Sequence, residues 1–188
     1  MRLTTPRIAP LSDAELNDDQ RAALAPFFET GRVLNIFRTL ARAPKALVRF
    51  NEWGGYILSK RNTLSERDRE LVILRTGYNC KSGYEWTQHV PIGLRAGLTE
   101  TEVERIKDGP DADGWAERDR AMLRATDDLN QDFFISEASW AALHFLDDKQ
   151  KMDLVMSVAQ YTQVSMMLNS FGVQLDEGQT LDPALKAY

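Results

Sequence analysis

Proline and glycine cut this chain into pieces of helix length, and no piece alternates apolar and polar residues with the two-residue period of a strand. Residues 18 to 30, DDQRAALAPFFET, open on an acidic first turn and read as a helix. Residues 31 to 44 read as a loop with one short helical stretch at NIFRTLA. Pro44 suits a helix first turn, and Leu47, Phe50, Trp53 and Ile57 follow at helical spacing through ALVRFNEWGGYILSK. Ser65 is the expected cap of a helix carrying the stripe Leu71, Ile73, Leu74 and Tyr78, weakened near its end by Gly77 and Asn79. A further helix runs from about Gly83 to Arg95 and closes on Ala96-Gly97. Thr99 opens an acidic helix that stops at Asp108-Gly109-Pro110. The run GWAERDRAMLRATDDLNQD turns Trp115, Met122, Leu123 and Leu129 inward, and Ser136 caps SEASWAALHFL. Asp147 starts the most apolar helix, which reaches Gly172-Val173. About eight helices and no sheet make the fold class all-α, a helical bundle forming one domain over 1–188 with an N-terminal arm over 1–17.

Two of these helices echo each other. LSERDRELVILRTGY and LDDKQKMDLVMSVAQY share Leu71/Leu154, Val72/Val155 and Tyr78/Tyr161 at a constant spacing of 83 residues. The echo implies two helical hairpins in pseudo-symmetry, of which only the first carries Glu85 and His89.

Composition excludes several function classes. Net charge is -5 with Lys and Arg scattered, which is no footprint for nucleic acid or an anionic membrane. No apolar run approaches the roughly 18 residues of a membrane span, and the first residues lack the apolar core of a signal peptide, so a cytoplasmic protein is the expectation. One cysteine and two histidines allow no internal disulfide and no three-histidine metal site, and no HExxH, GxGxxG or GxxxxGK[ST] motif occurs.

What remains is the stretch CKSGYEWTQH, residues 80 to 89. On a helix, Glu85 and His89 lie one turn apart on one face, and a carboxylate beside an imidazole raises its pKa and fixes its tautomer. Tyr84 and Trp86 flank the pair. Glu70 sits beside the stripe of the preceding helix and could face the same interior. A competing reading is structural: Ser82-Gly-Tyr-Glu85 fits the S-x-x-E capping box. Arg75 and Arg38 could hold a substrate carboxylate, and Cys80 beside Lys81 at a helix N-terminus could have a lowered pKa. A metal held by Glu70, Glu85 and His89 is chemically conceivable but has few ligands, so neither metal nor cofactor is assigned. His144 has no acidic partner at close helical spacing and reads as structural.

The runs NIFRTLARAPKALVRF, LSERDRELVILR and YEWTQHVPIGLRAGLTETEVERI resemble the carboxymuconolactone decarboxylase family, relatives of the alkyl hydroperoxidase D-like proteins. The resemblance spans about residues 30 to 175. It implies an all-α fold of two similar helical units, assembled as a homo-oligomer (dimer, trimer or hexamer) with its pocket near subunit contacts. In the hydroperoxidase branch a glutamate, a Cys-x-x-Cys pair and a histidine act together; these positions fall on Glu70, Ser82, Glu85 and His89, so both thiols are missing and thiol peroxidase chemistry should be absent. The decarboxylase branch carries Tyr-Glu-Trp-x-x-His, matching Tyr84, Glu85, Trp86 and His89. The resemblance therefore implies a cofactor-free lyase acting on a small lactone or unsaturated organic acid, with His89, Glu85 and Glu70 catalytic and Arg75, Arg38, Tyr84 and Trp86 around the substrate. Two alternatives stay open: isomerase- or hydratase-type proton transfer on another small molecule, and a helical oligomer that binds a small ligand without chemistry.

Overall fold

The computed structural model describes residues 1–29 and 31–186; Thr30, the last residue of the first expected helix, and positions 187 and 188 lie outside the described residues. Among the described residues there are nine α-helices and no strand. They are α1 (Asp18–Phe28), α2 (Asn35–Leu40), α3 (Pro44–Ile57), α4 (Glu66–Asn79), α5 (Gly83–Arg95), α6 (Glu100–Asp108), α7 (Glu117–Asp132), α8 (Glu137–Ala142) and α9 (Asp148–Phe171).

Helix α4 is the axis of the fold. Four successive residues, Leu71, Val72, Ile73 and Leu74, have no exposed surface. A helix apolar on every side must be covered on every side, and α5, α6, α7 and α9 surround this one. The main core gathers Leu71, Val72, Leu74, Trp86, Ile106, Met122, Leu123, Leu154 and Val158. A second cluster joins α1, α2 and α3 through Leu24, Ala41 and Leu47. The echoing helices α4 and α9 pack against each other, but α4 turns into α5 whereas a segment with no α-helix among its described residues follows α9.

Capping explains most boundaries. Ser65 accepts from the Asp68 backbone N–H, Thr99 and Glu102 form a reciprocal capping box, and so do Asp147 and Gln150. Gly172 ends α9 in the left-handed region at φ 69°, where its N–H and that of Val173 both donate to the Leu168 carbonyl. Helix α8 is shorter than SEASWAALHFL suggested, because Leu143 and Leu146 enter the core from the turn that follows it. Beyond α9 the chain returns across the molecule, and buried Asp176 accepts from the Asn35 N–H (2.8 Å), the Tyr84 hydroxyl (2.6 Å) and Gln88 Nε2 (2.7 Å). This one carboxylate caps α2 and ties it to α5. The N-terminal arm crosses the end of α9, where the Arg7 and Ile8 N–H groups both reach the Phe171 carbonyl. No helix among the described residues is long and apolar enough to cross a membrane.

Candidate active site

The spacing of Glu85 and His89 on α5 does what helical geometry requires. Both side chains emerge on one face, and Glu85 Oε1 lies 3.0 Å from His89 Nε2. The other imidazole nitrogen, Nδ1, is 2.7 Å from Glu70 Oε2 on α4. All three residues are buried. Two glycines let α4 and α5 approach closely enough for this. A Cβ on Gly77 would stand 3.4 Å from Glu85 Cγ, and one on Gly93 would stand 3.1 Å from Leu74 Cδ1 and 3.6 Å from Glu70 Cβ. Gly77, expected to weaken the end of α4, instead lies within it and makes room for Glu85.

The capping box expected at Ser82 does not form. Ser82 is the residue before α5, but its side chain caps nothing and its Oγ is buried without a partner. Glu85 faces His89 instead, because the imidazole competes for the carboxylate and wins it.

Burial alone would lower the His89 pKa, but the charges of Glu85 and Glu70 and their hydrogen bonds outweigh it and push it up to about 10. At neutral pH both ring nitrogens therefore carry protons, Nδ1 hydrogen-bonded to Glu70 and Nε2 within 3.0 Å of Glu85. Below a pH of about 6.5 the folded and unfolded chains both hold that proton and the interaction contributes in full. As pH rises toward 10 only the folded chain retains it, so the contribution declines and is lost on passing the folded value. Between about pH 6 and pH 9.5 the wild-type melting temperature should fall by at least about 5 °C more than that of His89→Gln. Parallel thermal-melt profiles for the two proteins would contradict the assignment.

The triad opens on a cavity of about 450 Å³. Its walls are Phe27 from α1, Ile36 and Phe37 from α2, Phe50 from α3, Ile92 from α5 and Val164 from α9. Its polar groups are Glu85, His89, Gln88, Asn51, Tyr84, Gln160 and Tyr161, with no lysine or arginine among the described residues that line it. The His89 ring meets Tyr161 edge-on at 4.8 Å between centroids. Burial, then the Glu85 and Glu70 charges, push the Tyr161 phenol well up, so it stays a proton-bearing donor. Gln160 and Tyr161 were not among the expected site residues. Tyr161 was visible only as the echo of Tyr78, and nothing in the local sequence of α9 says which neighbour it faces. No three His, Cys, Asp or Glu side chains among the described residues form a group that could hold a metal ion.

The four residues expected around the substrate are placed differently. Arg75 does not reach the cavity: its Nε and one terminal nitrogen grip Asp127 at 2.6 and 2.8 Å, and the other donates to the carbonyls of Ile106 and Lys107. It clamps α4 to α6 and α7. Arg38 likewise faces the N-terminal arm, donating to Asp13 (2.6 Å) and to the carbonyls of Leu11 and Val33. Trp86 belongs to the main core, packed on Tyr78 at 5.6 Å. Tyr84 does line the cavity, but its hydroxyl is taken by Asp176, so only its ring is offered. Cys80 is not at a helix N-terminus as supposed; it caps the C-terminal end of α4, and burial raises its thiol pKa.

Residues 44–128 match the model of the carboxymuconolactone decarboxylase family. Among solved structures, the chain is similar to an alkylhydroperoxidase AhpD-core, peroxidase-related protein from Ralstonia eutropha JMP134, with 23% identity, a TM-score of 0.78 and 92% of this chain aligned to 93% of that one. It is also similar to the debrominase Bmp8, solved as a cysteine-to-alanine variant with 2,3,4-tribromopyrrole, with 12% identity, a TM-score of 0.74 and 97% of this chain aligned to 95% of that one. At such identities the likeness is one of fold. No curated protein matches the chain.

Proposed function

We propose that this chain, whose residues 44–128 match the model of the carboxymuconolactone decarboxylase family, is a proton-transfer enzyme acting on a small, uncharged, largely apolar carbonyl compound. The observation that carries the reading is an imidazole held between two carboxylates on the wall of an apolar cavity whose described lining has no lysine or arginine. Glu85 takes a proton from a carbon next to the carbonyl, and the electron pair moves to the carbonyl oxygen. His89 then returns its Nε2 proton to another carbon of the conjugated system. Glu85 passes its acquired proton to His89, and the resting state is restored. Glu70 holds the imidazole by Nδ1 throughout, as an orienting carboxylate does.

Decarboxylation of a lactone acid, the reaction suggested by the family's description, ranks second. A substrate carboxylate in this cavity would face Glu85 with no compensating arginine, since Arg75 and Arg38 are spent elsewhere. The debrominase complex supports the size and polarity of the proposed substrate, because its small halogenated ring is bound by a protein of the same fold. We also infer self-association into a homo-oligomer, supported by Leu58 at the cavity and nearby Trp53, both apolar and well exposed.

The test is deuterium exchange. The protein is incubated in D2O with a panel of small unsaturated ketones and lactones, and the C–H signals are followed by proton NMR. Exchange or double-bond migration in at least one member is expected. Release of CO2 from unsaturated lactone acids, without exchange in the neutral compounds, would replace this reading with the lyase. Saturable binding with neither reaction would leave a ligand-binding protein.

A further inference from the structure

Two polar side chains on the cavity wall have no partner in the fold. Gln160 is only 3% exposed, yet its amide makes no hydrogen bond; Oε1 is sealed in the protein, leaving Nε2 as the end that can meet the cavity. A buried amide left unpaired is destabilising, so its place in the cavity wall needs a reason. The hydroxyl of its neighbour Tyr161 also has no hydrogen-bond partner among the described residues, although the ring is buried against His89. The other polar groups are less suited. Tyr84 and Gln88 are both engaged by Asp176, and Asn51 is only partly buried.

We infer that Gln160 and Tyr161 form an oxyanion hole, in which the Gln160 Nε2–H and the Tyr161 O–H donate to the substrate carbonyl oxygen and hold the charge that develops there. The inference rests on the proton-transfer reading and completes its electron balance. When Glu85 takes the carbon-bound proton, the pair from that bond forms the new C=C bond and the carbonyl π pair moves onto oxygen as an enolate. The two donors then face a full negative charge, and the pair returns to carbon when His89 delivers its proton. Neutral donors in an apolar cavity are strong enough for this, since little water competes with them. They also suit the substrate: an uncharged carbonyl enters beside Glu85, where a carboxylate would be repelled. The phenol of Tyr161 remains a donor throughout the cycle because its proton is firmly held. The substrate class therefore narrows to a compact, conjugated ketone or lactone whose oxygen points at α9 and whose acidic carbon points at α5.

The probe is 4-nitrophenolate, a planar oxyanion, with 4-nitrotoluene as the counterpart of similar shape lacking the oxygen. Affinities are measured by absorbance and calorimetry on wild type, on Glu85→Gln, and on Gln160→Leu and Tyr161→Phe in the Glu85→Gln background, with circular dichroism checking each fold. Glutamine at 85 stands in for the protonated carboxyl, so Glu85→Gln should bind the phenolate at least about 10-fold tighter than wild type. Tyr161→Phe and Gln160→Leu should each lose at least about 10-fold for the phenolate and stay within about 2-fold for 4-nitrotoluene. Unchanged phenolate affinity in both variants, or an equal loss for both probes, would overturn the oxyanion hole. A Glu85→Gln variant that gains nothing would count against Glu85 as the base, and so against the proton-transfer reading, while the other two variants still decide the role of α9.

Discussion

Replacing His89 by glutamine is expected to lower turnover in the exchange assay at least about 100-fold. The side chain is buried between Glu70 and Glu85, and it is the member of the triad that can hand a proton on at neutral pH and recover it from its neighbour. Glutamine retains a hydrogen-bonding amide at this point but cannot give up a proton, so it separates packing from chemistry. Glu70→Gln should have a smaller effect on turnover, about 10-fold, because the amide oxygen still accepts from Nδ1 while one of the two charges that raise the His89 pKa is gone and that of Glu85 remains. Near-normal turnover in His89→Gln would remove the imidazole from the mechanism. A change in ligand affinity without any change in turnover would favour a binding protein.

The largest loss of stability should come from outside the site, at Asp153. Its carboxylate is fully buried on α9 and accepts from the Tyr56 hydroxyl (2.7 Å), the Thr63 N–H (2.7 Å), the Thr63 hydroxyl (2.9 Å) and Lys149 Nζ (2.5 Å). It thus fastens the end of α3 and the loop before α4 to α9. Asp153→Ala removes four hydrogen bonds at once and strands the Thr63 N–H, and should cost about 3–4 kcal/mol in urea unfolding with an unchanged m-value. Asp153→Asn keeps the shape and should cost about half as much. Burial would raise the Asp153 pKa, yet the Lys149, Thr63 and Tyr56 hydrogen bonds hold it below the usual carboxylate range. Its contribution is therefore present above about pH 4 and is lost as pH falls through the folded value, so wild type and Asp153→Asn should converge in stability in acid. A loss below about 1 kcal/mol in Asp153→Ala would mean that the loop before α4 is held by other contacts.

The all-α class and most helix boundaries were legible in the chain because they rest on local physics: spacing of apolar residues, capping side chains and glycine stops. The Glu85–His89 pair was legible for the same reason, since four residues along one helix bring two side chains to one face whatever surrounds them. Glu70 was visible as a candidate but not its distance, which depends on how closely α4 and α5 cross. That crossing is set by Gly77 and Gly93, whose missing Cβ atoms have meaning only when the opposite helix is in place. Ser82-x-x-Glu85 shows the limit of local reasoning: a sound capping signature was overridden because a charged imidazole one turn away takes the carboxylate.

The arginines mark the sharper division. Arg75 and Arg38 were reasonable anion holders in a linear reading, since a guanidinium's chemistry is the same wherever it lies. Which carboxylate it finds is decided between helices, and Asp127 and Asp13 claim these two. Gln160 and Tyr161 illustrate the converse, two ordinary residues of an apolar helix that become the unpaired polar edge of a cavity. The sequence by itself determined an all-helical chain with a carboxylate and an imidazole set on one helix face. Only the tertiary structure decided that a second carboxylate would close the triad, that the cavity beside it would be lined without lysine or arginine among its described residues, and that α9 would add Gln160 and Tyr161 to its polar groups. The physical reason is that helix faces follow from the sequence period, whereas a cavity's charge and shape are sums over side chains from separate helices.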